Sequence, residues 1–395
     1  MRILHLVDDW IFTDGPVSIF ESLNVDNKFV VLRDNDDVTL TKVKSDKVDV
    51  IKVGSSAYHD LLYKEKWDLV WVTMLNHNKA QFVLTLDKHI PVVWSVYGID
   101  YIRHSGLWLY GFRTTLLFFK FAKLKSILLA LGGYFLGKLR IIRFMPRLEC
   151  RFFNRVNYFS CIVPEEEPWL RNVIGWRKTA KAVKFNYCSS QSSSPKVEYP
   201  LIDLSVKNIW VGNSCTLSNN HLDVFALIAK TSCDIREYNV LVPLSYTLGV
   251  EEGKLDKVVI SKGMEMFGER FKPITEFMPR IKYINLMSSC SIFIFGMKRQ
   301  QAAGNIRIAL LCGGCVFLDT HNPVYKHYIN MGVVLYPLER IAEGFDKILA
   351  EFKPHQKSNI EIISQVRSKD VMIKEIEETV EFLRNEIDEK INKHK

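Results

Sequence analysis

The chain has 395 residues, which is more than one ordinary hydrophobic core requires and suits two domains. Hydrophobic residues make up 48% and charged residues 25%, which excludes a wholly disordered chain. The net charge of +9 predicts a polyanionic partner, either nucleic acid, anionic lipid or a phosphate-bearing substrate. The cysteines are scattered, mostly within apolar runs, which excludes a disulfide scaffold and predicts reduced thiols.

The first hundred residues alternate between apolar runs and amphipathic or polar stretches. The runs that we predict to be strands are 3–7, 28–32, 48–53, 69–73 and 92–96. Strands that alternate with helical segments indicate a parallel sheet covered by helices on both faces. This part of the chain is therefore predicted to form a Rossmann-like half.

The segment 103–155 differs from the sequence around it, because it mixes aromatic and apolar residues with eleven Lys or Arg residues and one acid. Its longest uncharged run, 126–137, is shorter than the roughly 20 residues that a membrane-spanning helix needs. The pattern favours helices in the membrane interface, with core helices that have a solvated basic face as the alternative. The cations expected to meet anionic lipid are Lys120, Lys123, Lys125, Lys138, Arg140 and Arg143.

The alternation restarts after a serine-rich linker at 188–200. The strands predicted there are 208–211, 238–242, 258–260, 292–295 and 316–318. A charged tail with helical apolar spacing follows, and it either folds back on the body or pairs with a second copy. The predicted divisions are 1–200 with the basic insert, 201–345, and a helical tail at 346–395. Two such halves would face each other across a cleft at the carboxyl ends of their strands, where ligands bind in open α/β folds.

Two loops of the second half follow predicted strands and open predicted helices. A helix N-terminus with free N–H groups is a natural diphosphate site, and an arginine grips phosphate bidentately. The alternative for the first loop is an ordinary capped helix. The candidate diphosphate ligands are Gly212, Asn213, Ser214, Ser218, Asn219, Asn220, His221, Arg299, Gln300, Gln301, Gly304 and Asn305.

Carboxylates and histidines after the strands of the first half are candidate general bases. Asp100 follows the fifth predicted strand, and Asp8 and His104 compete with it for the role. A structural role for each of the three is an equal alternative. The D-x-D spacing at 34–36 lies in an acidic stretch that we interpret as a solvated turn, so no essential metal is expected.

Taken together, these motifs resemble the 4-acetamido-4,6-dideoxygalactosyltransferase family, the TDP-N-acetylfucosamine:lipid II transferases of enterobacterial common antigen assembly. The similar segments are 211–221, 242–246, 299–306, 97–100 and the N-terminal loop through Asp8 and Glu21. The resemblance implies a GT-B fold, inverting transfer without bound metal, and a polyprenyl-diphosphate-linked acceptor. It also implies that Tyr246 lines the donor site together with the two loops, and that Asp100 lies on the acceptor side.

The sequence thus predicts a peripheral glycosyltransferase at the cytoplasmic face of a bacterial inner membrane, with a TDP- or GDP-linked sugar as substrate and no other cofactor. The basic insert and the tail depart from the family, so a fucose-type donor and another surface-glycan acceptor remain open. The alternatives are a sugar-nucleotide epimerase and a non-catalytic component of polysaccharide assembly. A nucleic-acid partner is not expected, because no recognised module is present. A homodimer through the tail is the alternative to a tail that folds back.

Overall fold

The computed structural model describes residues 1–10, 12–98, 100, 106–121, 127–128, 147–174, 180–185, 187, 198–245, 254–365 and 369–393. The chain forms two compact units. Unit 1 comprises Met1–His104, Phe144–Pro195 and Arg367–Lys395, and unit 2 comprises Ser105–Arg143 and Lys196–Val366. This division differs from the sequence-based one, because the first part of the basic insert belongs to unit 2 and the C-terminal helix belongs to unit 1.

Unit 1 is built around a parallel sheet. Its strands are β1 (Arg2–Val7), β2 (Asp26–Arg33), β3 (Val48–Lys52), β4 (Leu69–Thr73), β5 (Val92–Ser95), β6 (Tyr158–Ser160) and β7 (Lys181–Ala182). They lie in the order β3-β2-β1-β4-β5-β6-β7. The helices of unit 1 are Asp14–Phe20, Ser56–Tyr63, His77–Thr85, Arg147–Arg155, Glu167–Ile174 and Lys369–Lys393. The five strands predicted from the sequence are confirmed to within two residues at each end, whereas β6 and β7 were not predicted.

Unit 2 is built around a second parallel sheet. Its strands are β8 (Asn208–Val211), β9 (Asn239–Pro243), β10 (Phe271–Ile274), β11 (Ile292–Phe295), β12 (Cys315–Leu318) and β13 (Tyr336–Pro337), in the order β10-β9-β8-β11-β12-β13. Its helices are Phe112–Phe121, His221–Ile228, Leu255–Phe267, Arg280–Ser288, Ala303–Leu311, Pro323–Asn330, Phe345–Phe352 and Gln356–Gln365. The predicted fold class of two Rossmann-like units with a C-terminal helix is therefore confirmed.

One predicted strand of unit 2 is wrong. Residues 258–260 lie inside the helix Leu255–Phe267, whose buried residues are Leu255, Val259 and Gly263. This spacing of four is helical, and it overrides the β-branched run that suggested a strand. The strand of this region is β10, which contains Pro273 and lies at the sheet edge, where a proline is tolerated.

The C-terminal helix uses its apolar stripe within unit 1. Met372, Ile376, Val380 and Leu383 are buried in the same core as β1 and β4. Glu386 accepts a hydrogen bond from the Tyr158 hydroxyl (3.2 Å). Within the described residues, the tail therefore folds back and packs in unit 1, which is one of the two arrangements predicted from the sequence. None of the helices in the described part of the chain combines the length and hydropathy that a membrane span requires.

Candidate functional site

The loop after β8 (residues 212–220, the Gly212 loop) begins with a residue that must be glycine. Gly212 has φ +72°, a conformation that side chains other than hydrogen disfavour. A Cβ there would lie 2.7 Å from Asn219 Oδ1 and 3.1 Å from His221 Nε2. The Gly212 amide donates to the carbonyl of Ile294 in β11 (2.9 Å), which ties the loop to the neighbouring strand.

Asn219 holds the Gly212 loop together from the inside. Its side chain is fully buried and accepts a hydrogen bond from the backbone N–H of Asn213 (3.0 Å). Its amide nitrogen donates to Ser214 Oγ (3.0 Å) and to Thr216 Oγ1 (2.9 Å). The polar side chains that the sequence assigned to ligand binding are therefore largely engaged with one another, and they fix the shape of the loop.

Gln301 joins the Gly212 loop to the loop after β11 (residues 296–302, the Arg299 loop). Its Oε1 accepts from Ser218 Oγ (2.7 Å), and its Nε2 donates to Asn213 Oδ1 (3.0 Å). The sequence predicted Gln301 as a ligand-contacting amide, whereas the structure shows it linking the two loops. Gln301 thus connects the two loops by two side-chain hydrogen bonds.

Two helices begin at these loops with left-handed residues. Asn220 (φ +55°) precedes the helix His221–Ile228, and Ala302 (φ +59°) precedes the helix Ala303–Leu311. Neither helix receives a side-chain cap from the residues described. Asparagine adopts this conformation readily, whereas for Ala302 it costs about 1–2 kcal/mol, and such strain often marks a functional site. An uncapped helix N-terminus attracts anions. The two helix N-termini thus follow adjacent strands of one sheet, β8 and β11.

The remaining candidates of the second loop lie close to its helix. Arg299 is only 7% exposed, and its Nη1 donates to the carbonyl of Gln300 (2.8 Å). Asn305 Nδ2 donates to the Tyr283 hydroxyl (2.9 Å). Gly304 lies in the first turn of the helix. Tyr246 and His104 lie outside the described residues.

His221 is the first residue of its helix and is buried. Its Nε2 has no hydrogen-bond partner among the residues that the structure describes. Burial lowers the pKa of His221 to about 4, so the imidazole is neutral at physiological pH. Because the His221 ring is neutral, it adds no positive charge beside Gly212. The positive potential at this helix N-terminus therefore comes from the backbone N–H groups.

A second polar cluster lies at the carboxyl ends of the unit 1 strands, around Lys79. Lys79 is 1% exposed, and its ammonium group donates to Asp8 and to the carbonyl of Thr73 (2.6 Å). Asp8 follows β1, and Lys79 lies in the helix that follows β4. Lys79 was not among the residues predicted from the sequence, because its local sequence does not distinguish it from a solvated lysine.

Asp100 is held by three donors. Its Oδ1 accepts from the N–H of Leu75 (3.1 Å), and its Oδ2 accepts from Trp94 Nε1 (3.2 Å) and from the N–H of Tyr97 (3.0 Å). These contacts fasten the loop after β5 to the loop after β4. Both oxygens of the carboxyl group are therefore engaged by the protein.

Burial dominates the ionisation of this cluster. It raises the pKa of Asp100 to about 8, against the opposing effects of its hydrogen bonds and of Lys79. It also raises the pKa of Asp8 and lowers the pKa of Lys79, and in each case the partner's charge opposes the shift. Burial and the charge of the partner therefore act in opposite directions on the paired side chains of Asp8 and Lys79.

The D-x-D segment lies at an open depression of unit 1, about 550 Å³ in volume. The depression is lined by Leu32, Arg33, Asp34, Asn35, Asn76, His77 and Asn78. Asp34 accepts from Asn78 Nδ2 (3.0 Å), and Asp36 pairs with Lys52 (2.7 Å). Among the described residues, no group of three or more His, Cys, Asp or Glu side chains is arranged to hold a metal ion.

Of the cations assigned to the membrane, Lys120 is described and is exposed on the helix Phe112–Phe121. The other five, Lys123, Lys125, Lys138, Arg140 and Arg143, lie outside the described residues.

Residues 190–348 match the family model described as 4-alpha-L-fucosyltransferase, glycosyl transferase group 56. The matched segment contains both the Gly212 loop and the Arg299 loop.

Solved structures resemble the whole chain at low identity. Sucrose-phosphate synthase from Thermosynechococcus elongatus is 10% identical with a TM-score of 0.63, over 98% of this chain and 99% of that one. A glycosyltransferase from Rickettsia africae is 10% identical with a TM-score of 0.60, over 98% of each chain. HepE from Anabaena, in complex with UDP and glucose, is 13% identical with a TM-score of 0.58, over 96% and 99%.

Likeness at this identity shows the fold alone, and the function rests on the family match. The chain is a glycosyltransferase with the GT-B fold, and the match to a fucosyltransferase-type family lies in the part of the chain that forms most of unit 2.

Proposed function

We propose that the protein transfers a fucose-type or 4-acetamido-4,6-dideoxy sugar from a nucleotide diphosphate to a lipid-diphosphate-linked or other surface-glycan acceptor. The transfer inverts the anomeric centre and needs no metal ion. One observation supports the proposal most directly. Two helices that follow adjacent strands begin without a side-chain cap, and both lie within the segment that matches the fucosyltransferase family. HepE binds UDP and glucose, and a trehalose-6-phosphate enzyme from E. coli binds UDP-2-fluoro glucose, so nucleotide sugars suit this fold.

The donor diphosphate would accept hydrogen bonds from the backbone N–H groups at the starts of the helices His221–Ile228 and Ala303–Leu311. Arg299, at the entrance to the second helix, supplies a fixed positive charge. Negative charge develops on the leaving diphosphate in the transition state, and preorganised dipoles and cations stabilise it there. The side-chain network around Asn219 and Gln301 holds these donors in place, and it takes part in no bond making.

Among the carboxylates predicted from the sequence, we propose Asp8 as the general base. Its side chain is 26% exposed and pairs with the Lys79 ammonium group, whereas the oxygens of Asp100 are engaged by three donors and burial raises its pKa to about 8. The Asp8 carboxylate takes the proton of the acceptor hydroxyl as its oxygen attacks the anomeric carbon. The bond from that carbon to the diphosphate oxygen breaks with its electron pair leaving on the diphosphate. Asp100 then acts as a positioning residue for the loops around Lys79.

We propose further that the protein works at the cytoplasmic face of a bacterial inner membrane, as a peripheral protein. A lipid-diphosphate acceptor lies in that membrane, and the one-sided positive charge of 103–155 suits an anionic surface. The apolar stripe of the C-terminal helix is buried inside unit 1. This stripe therefore gives no support to a homodimer through the helix.

A thermal-shift experiment tests the donor site. The purified protein is heated with TDP, UDP, GDP, CDP or ADP, with and without EDTA. A ligand at about 100 times its Kd stabilises the folded state by about 2.7 kcal/mol. We expect one diphosphate to raise the Tm selectively, with no effect of EDTA. Arg299→Ala should abolish the shift, and the control Arg236→Ala, which removes an exposed arginine of the same unit, should keep it. A protein that responds to no nucleotide has no donor site at these loops.

Turnover tests the base. Asp8→Asn should lower kcat by about 10²–10⁴ while nucleotide binding is unchanged, because a general base contributes about that factor. Asp100→Asn should keep the larger part of its activity. If Asp8→Asn retains kcat, the base is another residue.

A further inference from the structure

The helix Phe112–Phe121 is mounted on unit 2 by the carboxylate of Asp223. This carboxylate accepts from the N–H groups of Arg113 and Thr114 (both 2.9 Å) and from Thr114 Oγ1 (2.6 Å). A Cβ on Gly111 would lie 2.4 Å from Asp223 Cγ, so the approach requires glycine. Asp223 therefore caps the N-terminus of this helix, although it belongs to the first turn of the helix His221–Ile228.

The residues just before this helix contact the proposed donor loops. Asn220 Oδ1 accepts from the N–H of Gly111 (2.9 Å), and its Nδ2 donates to the carbonyl of Leu109 (3.1 Å). Lys298 Nζ donates to the carbonyl of Tyr110 (3.2 Å). Both loops of the proposed donor site thus hold this segment directly.

The helix Phe112–Phe121 is apolar on two opposite faces. Its inner face buries Leu117 and packs Phe118 and Phe121 against the core of unit 2. On its outer face Phe112 is 78% exposed and Leu116 is 56% exposed. At 3.6 residues per turn, positions 112, 116 and 119 form one stripe, and Arg113 and Lys120 flank it on one side.

A surface helix normally has one apolar face, which packs on the core, and a polar face towards solvent. This one is only ten residues long, and its outer side is open. Aromatic and aliphatic residues between cations suit the headgroup boundary of an anionic bilayer. The two flanking residues are cations, and the insert that contains them has a single acid. The charge selects a lipid surface over a second copy of this chain, whose net charge is also positive.

We propose that the Phe112–Leu116 face docks on anionic lipid and thereby fixes unit 2, with its donor loops, at the membrane. The choice of lipid as partner rests in part on the proposed function, since a lipid-linked acceptor lies there. The helix Phe112–Phe121, part of the basic insert, is therefore a docking element of unit 2, which also contains the Gly212 loop and the Arg299 loop. The sequence had assigned it to the other half of the chain.

Vesicle flotation of the full chain tests this face. Vesicles of phosphatidylglycerol with phosphatidylethanolamine are compared with vesicles of phosphatidylcholine alone. We expect binding to the anionic vesicles only. The double variant Phe112→Ser/Leu116→Ser should lower the partition coefficient by at least about tenfold, from the apolar area it withholds from lipid. The matched control Phe277→Ser/Ile281→Ser removes side chains of unit 2 that are 85% and 59% exposed, and it should bind like the wild type.

A second double variant distinguishes a loss of lipid binding from misfolding. Arg113→Gln/Lys120→Gln keeps the apolar stripe and should weaken binding to anionic vesicles by about tenfold or more, with a reduced salt dependence. Full binding by Phe112→Ser/Leu116→Ser, or equal loss in the control pair, overturns the inference. The inference is also overturned if the wild type forms a dimer that Phe112→Ser/Leu116→Ser disrupts and the wild type does not bind vesicles.

Nucleotide thermal shifts on the same preparations separate the two proposals. A protein that responds to a nucleotide but does not float contradicts only the docking face. A protein that floats through this face but responds to no nucleotide contradicts only the donor site.

Discussion

Gly212→Ala tests whether the Gly212 loop is held as rigidly as its contacts indicate. The substitution places an alanine at φ +72°, which costs roughly 1 kcal/mol. Its Cβ would lie 2.7 Å from Asn219 Oδ1, so the Asn219 side chain must move. Asn219 then loses its bonds to Asn213, Ser214 and Thr216, each worth about 1 kcal/mol. The expected loss is about 4 kcal/mol in the free energy of unfolding of unit 2.

Gly332→Ala is the matched control. Gly332 has φ +84° in the same unit, but a Cβ there would meet only Ile362 Cδ1, at an ordinary 3.8 Å. It should therefore cost only about 1 kcal/mol. Urea unfolding followed by tryptophan fluorescence measures both, since the indole of buried Trp210 donates to the Gly212 carbonyl (2.9 Å). If Gly212→Ala destabilises no more than Gly332→Ala, the hydrogen bonds of Asn219 do not hold the Gly212 loop rigidly.

Three further substitutions have defined outcomes. Asp223→Ala should destabilise unit 2 by about 1–2 kcal/mol in urea unfolding, because the helix Phe112–Phe121 loses its cap; an unchanged midpoint would contradict that role. The amide of Gln301 is engaged by Ser218 and Asn213, so Gln301→Ala removes the link between the two loops. The substitution should therefore weaken nucleotide binding in the thermal-shift assay, and unchanged binding would show that the link does not matter for the site. Asp100→Asn tests the raised pKa of that carboxyl group: the stability that its proton provides is complete below about pH 4 and is lost as pH rises through about 8. Wild-type stability minus that of Asp100→Asn should thus fall by about 1.4 kcal/mol per pH unit between these limits, and a flat difference over pH 5–9 would show an ordinary pKa.

The strands of both sheets were largely predictable from the sequence. Parallel strands covered on both faces read as continuous apolar runs, and β4 and β11 match their predicted bounds to the residue. The error at 258–260 has a physical cause. A β-branched run carries a strand signal at short range, but burial of Leu255, Val259 and Gly263 on one side decides for a helix.

The positions of the polar loops in the fold were predictable from the sequence, but the partners of their side chains were less so. Loops at the carboxyl ends of strands were expected to carry the polar chemistry, and Asp8 and Asp100 do lie around one buried group. That group is Lys79, whose ammonium is held by acceptors from the first and fourth strands. Nothing in the local sequence distinguishes it from a solvated lysine, because its burial depends on residues about seventy positions away.

The sequence by itself determined the fold class, because the alternation of apolar runs and amphipathic segments is a property of the chain taken in order. Only the tertiary structure decided which unit each outlying segment joins. The helix Phe112–Phe121 lies on unit 2 because Asp223, more than a hundred residues later, caps it. The C-terminal helix lies on unit 1 because its apolar stripe completes that core. Contacts between residues so far apart follow from packing, and no local pattern encodes them.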